Sequence, residues 1–459
     1  MKNIKVSLVL GSLLGGLTAA GPAMSADLLD VYRLAQQNDP EIAIAEANFR
    51  AAAEASPQAR ASYLPQIEAN VNYGQTDSTS VGEQFFAGQI FPDDSESEST
   101  TTSWTVSLRQ TLFNWGTVNQ IQQAAAEVAR AEAEYRAAEQ QLIVRVAEAY
   151  FELLAAKDSL EASRINKESI ARQLDQAKKR FEVGLIAITD VQESQAAFDQ
   201  ATAEVIAAER TAFSTRENLR AVIGEYVDAP AAPTEDMPLA SPMPESPENW
   251  VEKALEQNLT IVASRFALES AEHTTGIRRA GHYPTLDFVA EHGETDSEFD
   301  SLDFTQVPTA PGTGTSEQTR DFIGLQLNVP IFSGGATQSR TRQAAYQESA
   351  ARSSLKQAIR NAESQTRDAY LGVISDIARV QALKQAYESA QTALRATQAG
   401  YEVGTRTAVD VLTARRNELQ ALITYQRARY DYVLNSLRLK QAAGILTGED
   451  VAEVATWMK

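Results

Sequence analysis

Between Thr117 and Val183 the chain runs for 67 residues without a glycine or a proline. Those are the residues that most often end a helix, and each helical residue adds 1.5 Å, so one rod of roughly 100 Å is expected. No compact domain drawn from 459 residues holds such a rod. Ile121, Ala124, Val128, Ala131, Tyr135, Ala138 and Leu142 step by three and four, and the pattern resumes at Val146, Ala149, Leu153, Ala156 and Leu160. That is a heptad repeat with one stutter, which unwinds a supercoil locally. A second such stretch, about Ala336 to Ala399, is interrupted by Gly372 alone. Alanine on both flanks lets neighbours approach from two sides. A wall of helices and a closed soluble bundle both satisfy this region by itself.

Two segments upstream of each rod alternate with period two. Ile67, Ala69, Val71 and Tyr73 are set against Glu68, Asn70 and Asn72, and Trp104, Val106 and Leu108 against Thr105, Ser107 and Arg109. The second pair is Leu286, Phe288 and Ala290, then Ile323, Leu325, Leu327 and Val329. Each run is about ten residues, the length of a tilted transmembrane strand. Phe113, Trp115 and Phe332 fall where strand passes into helix, as interfacial aromatics require. The intervening stretches, roughly 75–102 and 294–319, are acidic and rich in Ser and Thr, and read as solvated outer loops; Phe85, Phe86 and Phe91 lie in the first. Four strands cannot close a membrane barrel, for which about eight is the minimum, and open edges in lipid leave backbone groups without partners. Copies of the chain must complete it, unless the strands form a soluble sandwich.

The chain is written twice. Phe181-Glu182-Val183-Gly184 and Asp190-Val191 recur as Tyr401-Glu402-Val403-Gly404 and Asp410-Val411 at an offset of 220, while Pro65, Gly74 and Phe113 recur as Pro284, Gly293 and Phe332 at 219. Each half reads as a first helix, two strands, a very long helix, a glycine turn and a further helix, with Asp39-Pro40 breaking the first helix of the first copy. The expected organisation is residues 1–26 as a leader, 27–227 as the first repeat, 228–247 as an extended proline-rich connector, 248–446 as the second repeat and 447–459 as a short tail. In the leader, Lys2 and Lys5 precede an uncharged run from Val6 to Ala20 and the small residues of Ala23-Met24-Ser25-Ala26, the pattern of a cleaved signal peptide; a membrane anchor is the alternative. Without a cysteine at the cleavage site the mature end carries no lipid.

Composition removes most chemistry. A formal charge of −20, lowered by two further units on loss of the leader, argues against nucleic acid as a partner. With no cysteine there are no disulfides, thiol nucleophiles, Cys-held zinc or iron–sulfur clusters. The histidines are His273, His282 and His292, and phosphate-loop, zincin and nucleophile-elbow motifs are missing, so neither enzyme activity nor a cofactor is expected. Asp296, Asp300 and Asp303 suit a solvated loop better than a calcium site, because the EF-hand spacing and its glycine are lacking. Thr189-x-x-Gln192 fits a capping box, and Asp190 and Asp410 lie at helix starts, where the dipole favours an acid.

The segments Arg180-Phe181-Glu182-Val183-Gly184-Leu185 and Ala187-Ile188-Thr189-Asp190-Val191-Gln192, with Ala399 to Thr407 and Val409-Asp410-Val411-Leu412 in the second half and Leu64-Pro65-Gln66 at the first strand, closely resemble the outer-membrane efflux protein family. The resemblance covers essentially the whole mature chain and includes the duplication. It implies an α+β membrane protein: a homotrimer whose twelve-stranded β-barrel, four strands per chain, sits in the lipid of the Gram-negative outer membrane and continues as a helical barrel across the periplasm. It further implies a passive exit duct that docks with a periplasmic adaptor and an inner-membrane transporter, ABC or proton-driven, to export drugs, small molecules or proteins. By position, the family's periplasmic gate falls on Thr189, Asp190, Tyr401 and Arg406, and an acidic pore ring on Asp410. The family's second pore carboxylate is replaced here by Thr413. The rival class is a soluble periplasmic coiled-coil protein, which leaves the alternating strands unexplained.

Overall fold

A computed structural model describes residues 27–86, 88–92, 95–227, 229–234, 237–303 and 312–458; the leader lies outside them. The first half contains α1 (Leu28–Asn38), α2 (Pro40–Ala53), α3 (Ala55–Ala61), β1 (Gln66–Ser80), the short hairpin β2 (Glu83–Phe86) and β3 (Gln89–Pro92), β4 (Ser95–Phe113), α4 (Trp115–Glu182) and α5 (Ile188–Ile223). The second contains α6 (Pro247–Gln257), α7 (Leu259–Ala280), β5 (Thr285–Asp303), β6 (Gly312–Asn328), α8 (Ala336–Glu402), α9 (Ala408–Ala442) and α10 (Gly448–Ala455). The expected rods are continuous, 68 residues in α4 and 67 in α8.

The described residues divide into two compact units, one within 44–137 and 259–362, the other within 27–43, 138–258 and 363–458. The first unit carries an antiparallel sheet in the order β1-β4-β5-β6. Register makes one face apolar: Ile67, Ala69 and Val71 stand opposite Leu108, Val106 and Trp104, Leu108 opposite Ala290, and Leu286, Phe288 and Ala290 opposite Leu327, Leu325 and Ile323. At the two edges these side chains lie open, Val71 76% and Ile323 79% exposed, while Leu108, Leu286, Phe288 and Ala290 between them are half-buried. On the other face Arg109 donates to Asp287 at 2.6 Å. The outer edges of β1 and β6 have no partner strand among the described residues.

The strands run 15 to 19 residues, well beyond the ten expected, and take in much of what reads as loop. Thr favours strands and Thr–Ser pairs bond across them, so a polar composition does not end the ladder.

The other unit holds the main core. Along Leu142 to Ala156, α4 is buried on nearly every side, which is where the heptad stutters; Tyr150, Phe151 and Leu153 pack with Leu28 and Val31 of α1, Val433 and Leu437 of α9 and Val451 of α10. Position 39 breaks the first helix as expected, because the Asp39 carboxylate caps Glu41 N at 2.6 Å and Ile42 N at 3.1 Å. Its counterpart in the second half, Asn258, also breaks the helix, although Leu259 replaces Pro40 there. In both halves an amide closes a helix end: Asn38 Nδ2 donates to Ile223 O at 3.0 Å and Asn258 Nδ2 to Ala442 O at 2.9 Å.

The connector is extended but pinned. The Tyr150 hydroxyl donates to Ala231 O at 2.7 Å, Arg429 to Pro233 O at 2.9 Å, and Thr234 N to Trp457 O at 2.8 Å. Within the segment that reads as a tail, α10 is docked: Thr447 and Asp450 make a capping box, and Val451 is 1% exposed.

Candidate functional site

Each long helix ends in the same turn. Gly184 and Gly404 adopt φ of 75° and 78°, the left-handed geometry that a residue with Cβ resists. Leu185 N bonds Arg180 O at 2.8 Å and Gly184 N bonds Phe181 O at 2.8 Å; Thr405 N bonds Gly400 O at 2.8 Å and Gly404 N bonds Tyr401 O at 3.1 Å. Both are Schellman closures that fix the direction in which the next helix leaves.

The next helices start differently. At α9 the Thr407 hydroxyl accepts from Asp410 N at 3.2 Å, and Asp410 Oδ2 accepts from Thr407 N at 2.9 Å. The Thr407 backbone N–H, then its hydroxyl, and further off Arg406 hold the Asp410 carboxyl below the usual carboxylate range. At α5 the expected Thr189/Gln192 box does not form: the helix begins at Ile188, its N-cap is Ala187, and no side chain caps it. Thr189 is the second residue of the helix, two past the N-cap position from which a hydroxyl meets the N3 N–H.

The expected gate residues lie on or beside these turns, Thr189 and Arg406 exposed, Asp190 and Tyr401 half-buried. Among the described residues, no hydrogen bond or ion pair joins any of the four to another. Tyr401 instead receives a residue the sequence does not single out: the Arg180 guanidinium lies 5.0 Å from its ring centroid. A contact between positions so far apart leaves no local sequence signal.

At the strand ends, Phe113 and Trp115 are about half exposed and Phe332 is 89% exposed. Phe113 and Trp115 line a groove of about 680 Å³ with Tyr283 and Pro284. Tyr283 therefore joins the aromatic set; a single tyrosine beside Pro284 carries no periodic signal. In the outer part of the sheet, Asp296 clusters with Glu294 and Glu317.

A four-stranded sheet with an apolar face open to its surroundings, joined twice to helices of this length in an internally repeated chain, defines the α+β tunnel class of outer-membrane channel. The chain belongs to the outer membrane efflux protein family, whose sequence profile matches residues 31–225 and 250–445. It is 35% identical to outer membrane protein TolC of Vibrio cholerae over 100% of this chain and 99% of that protein, and 32% identical to TolC of Escherichia coli over 98% and 88%. It is 30% identical to the alkaline protease secretion protein AprF of Pseudomonas aeruginosa, over 94% and 87%. Among solved structures, VceC of Vibrio cholerae superposes with a TM-score of 0.69 at 22% identity, covering 91% of this chain and 96% of that one. CmeC of Campylobacter jejuni gives 0.68 at 16% identity, over 94% and 90%. These relatives are outer-membrane channels rather than enzymes, and the chain is an outer-membrane exit duct of the efflux and type I secretion kind.

Proposed function

We propose that three copies close one barrel and act as the passive exit duct of an assembly completed by a periplasmic adaptor and an inner-membrane transporter. The observation that carries this is the pair of edges on β1 and β6, unpaired among the described residues, with the apolar side chains beside them, such as Val71 and Ile323, left exposed. In lipid an unpaired edge costs several kcal/mol per backbone group, so β1 of one copy pairs with β6 of the next. Four strands from each of three copies make twelve. The two repeats, 27–227 and 248–446, each supply one strand pair and one helical hairpin.

Single cysteines scanned along β1 and β6 test this cleanly, because the chain has none of its own. Crosslinks should run between copies and stop at a trimer; crosslinking that stops at a dimer, or none at all, would rule the arrangement out. Planar-bilayer recording of the same preparation should give discrete channels.

The turns serve as the periplasmic gate. The side chains of Thr189, Asp190 and Arg406 bond nothing within the chain among the described residues, which leaves an Arg-to-carboxylate or Arg-to-hydroxyl link available between adjacent helix ends. Tyr401 offers its hydroxyl to a carboxylate in the same way. Asp410, repeated around the axis, forms a carboxylate ring that favours cations. Changing Tyr401→Phe with Arg406→Ser should raise conductance, and an unaltered closed state would remove both from the gate.

Relatives named for alkaline protease secretion and for cobalt-zinc-cadmium resistance span proteins and metal ions as cargo. The energy source belongs to the transporter, ABC or proton-driven.

A further inference from the structure

The two tips are built alike but not identically, and the difference falls on one contact. At the repeat offset of 220, Arg180 corresponds to Gly400 and Phe181 to Tyr401. The first tip therefore supplies a cation and the second an aromatic ring, and the reciprocal pair, Phe181 with Gly400, has no cation to offer. Arg180 lies 5.0 Å over Tyr401, both half-buried, at the mouth of a groove of about 700 Å³ between the end of α4 and the tips of α8 and α9. The other cations lining that groove are occupied: Arg172 bonds Glu168 and Lys179 bonds Asp175, each at 2.6 Å. Arg180 alone among them has no carboxylate partner among the described residues, which leaves its charge for the ring face.

Tyr401 is one piece with its turn. The Thr405 hydroxyl donates to Gly400 O at 3.0 Å, and Arg406 N donates to the same oxygen at 3.3 Å. Arg406 folds back so closely that a Cβ on Gly400 would come within 2.8 Å of its Cγ. Wherever Tyr401 is held, Arg406 is held too.

We propose that Arg180 is a positioning residue of the gate. By gripping the Tyr401 ring it ties the end of α8 to the end of α4 within one chain and sets where the Tyr401 hydroxyl and Arg406 stand. The inference rests on the gate reading of the tips, and it assigns to the ring of Tyr401 a role separate from that of its hydroxyl.

The test uses the full-length channel purified in detergent, with two readouts: closed-state conductance in planar bilayers, and hydrogen exchange of the Gly404 and Thr405 amides. Arg180→Gln should raise the open fraction and the exchange rate roughly two- to fivefold per protomer, the range for an exposed cation–π contact. Arg180→Lys, which keeps a cation over the ring, should restore most of both. Tyr401→Phe should leave exchange unchanged, Tyr401→Leu should match Arg180→Gln, and the double variant Arg180→Gln/Tyr401→Leu should add nothing further. Parental exchange in Arg180→Gln, no rescue by Lys, or additive effects in the double variant would each overturn the proposal. If the tether loosens in exchange while conductance stays parental in every variant, including Arg406→Ser, the contact stands as structure but the gating role given to Arg180 fails together with the gate reading.

Discussion

Phe113 stands opposite Leu286, although the ladder that pairs Gln110 with Phe288 and Thr111 with Asp287 would by regular alternation have put Leu112 there. A bulge at Leu112 absorbs one residue and turns Phe113 from the face of Arg109 and Thr111 onto the apolar face. By parity alone, residues 111 and 113 would share a side. The face on which the Phe113 ring stands thus depends on one extra residue in β4.

That relationship separates two substitutions. Phe113→Asp should cost about 1 to 2 kcal/mol and reduce assembly, because the carboxylate would meet lipid near the interface. Thr111→Gln, polar and uncharged on the face that holds Arg109 and Asp287, should assemble normally. Heat-modifiable migration of detergent-extracted protein measures both, and equal behaviour of the two variants would mean that the strand alternates without a bulge.

Arg429 is buried at 7% exposure, and its guanidinium donates to Pro233 O and Thr234 O on the connector. Replacing it by Met keeps the volume but leaves two carbonyls without a charged donor, at about 3 kcal/mol in all. The expected results are a lower urea midpoint and protease cleavage within the connector before α4 or α9 is cut. A connector that stays protected would show that Tyr150 and Trp457 hold it without help.

Ala187 occupies the N-cap that Thr407 fills in the second half. Ala187→Thr should complete a capping box with Asp190 and stabilise the start of α5 by about 1 kcal/mol. If Asp190 links neighbouring helix ends, the same substitution draws its carboxylate away and raises closed-state conductance. Gain of stability with an unchanged closed state would separate capping from gating at this residue.

What could be read from the residues followed from periodicity. The absence of Gly and Pro over Thr117 to Val183 suffices for α4, and alternation suffices for the apolar face of Ile67 to Val71, since both patterns repeat along the chain itself. The bulge at Leu112 depends on pairing with β5 and has no local signature. Asn258 ends its helix in extended geometry without a proline, and its amide reaches Ala442, far away in sequence, so nothing like Pro40 announces it. The role of Arg180 has no local signature for the same reason: its partner, Tyr401, lies one repeat away. Thr189-x-x-Gln192 misled because a capping pattern is a pattern of residue types, whereas the start of α5 is set by the Gly184 turn.

Asp158 lines a groove of about 610 Å³ and accepts from the Tyr430 hydroxyl. Burial raises its carboxyl above the usual range, and the Tyr430 bond and the charge of Arg429 offset this only in part. The folded chain therefore binds this proton more tightly than the unfolded chain does. Its contribution to stability is fully present below the ordinary carboxylate pKa and is lost as pH rises through the raised folded value. Asp158→Asn keeps an oxygen that accepts from Tyr430 but has no charge to bury. The variant should be more stable than the parent at pH 7, and the advantage should shrink or reverse at pH 4. Urea midpoints of the detergent-solubilised channel at the two pH values measure this difference, and shifts from other groups, such as the similarly raised Asp431, largely cancel in it. A gap between variant and parent that does not change with pH would mean that Asp158 ionises in the folded channel as it does in the open chain.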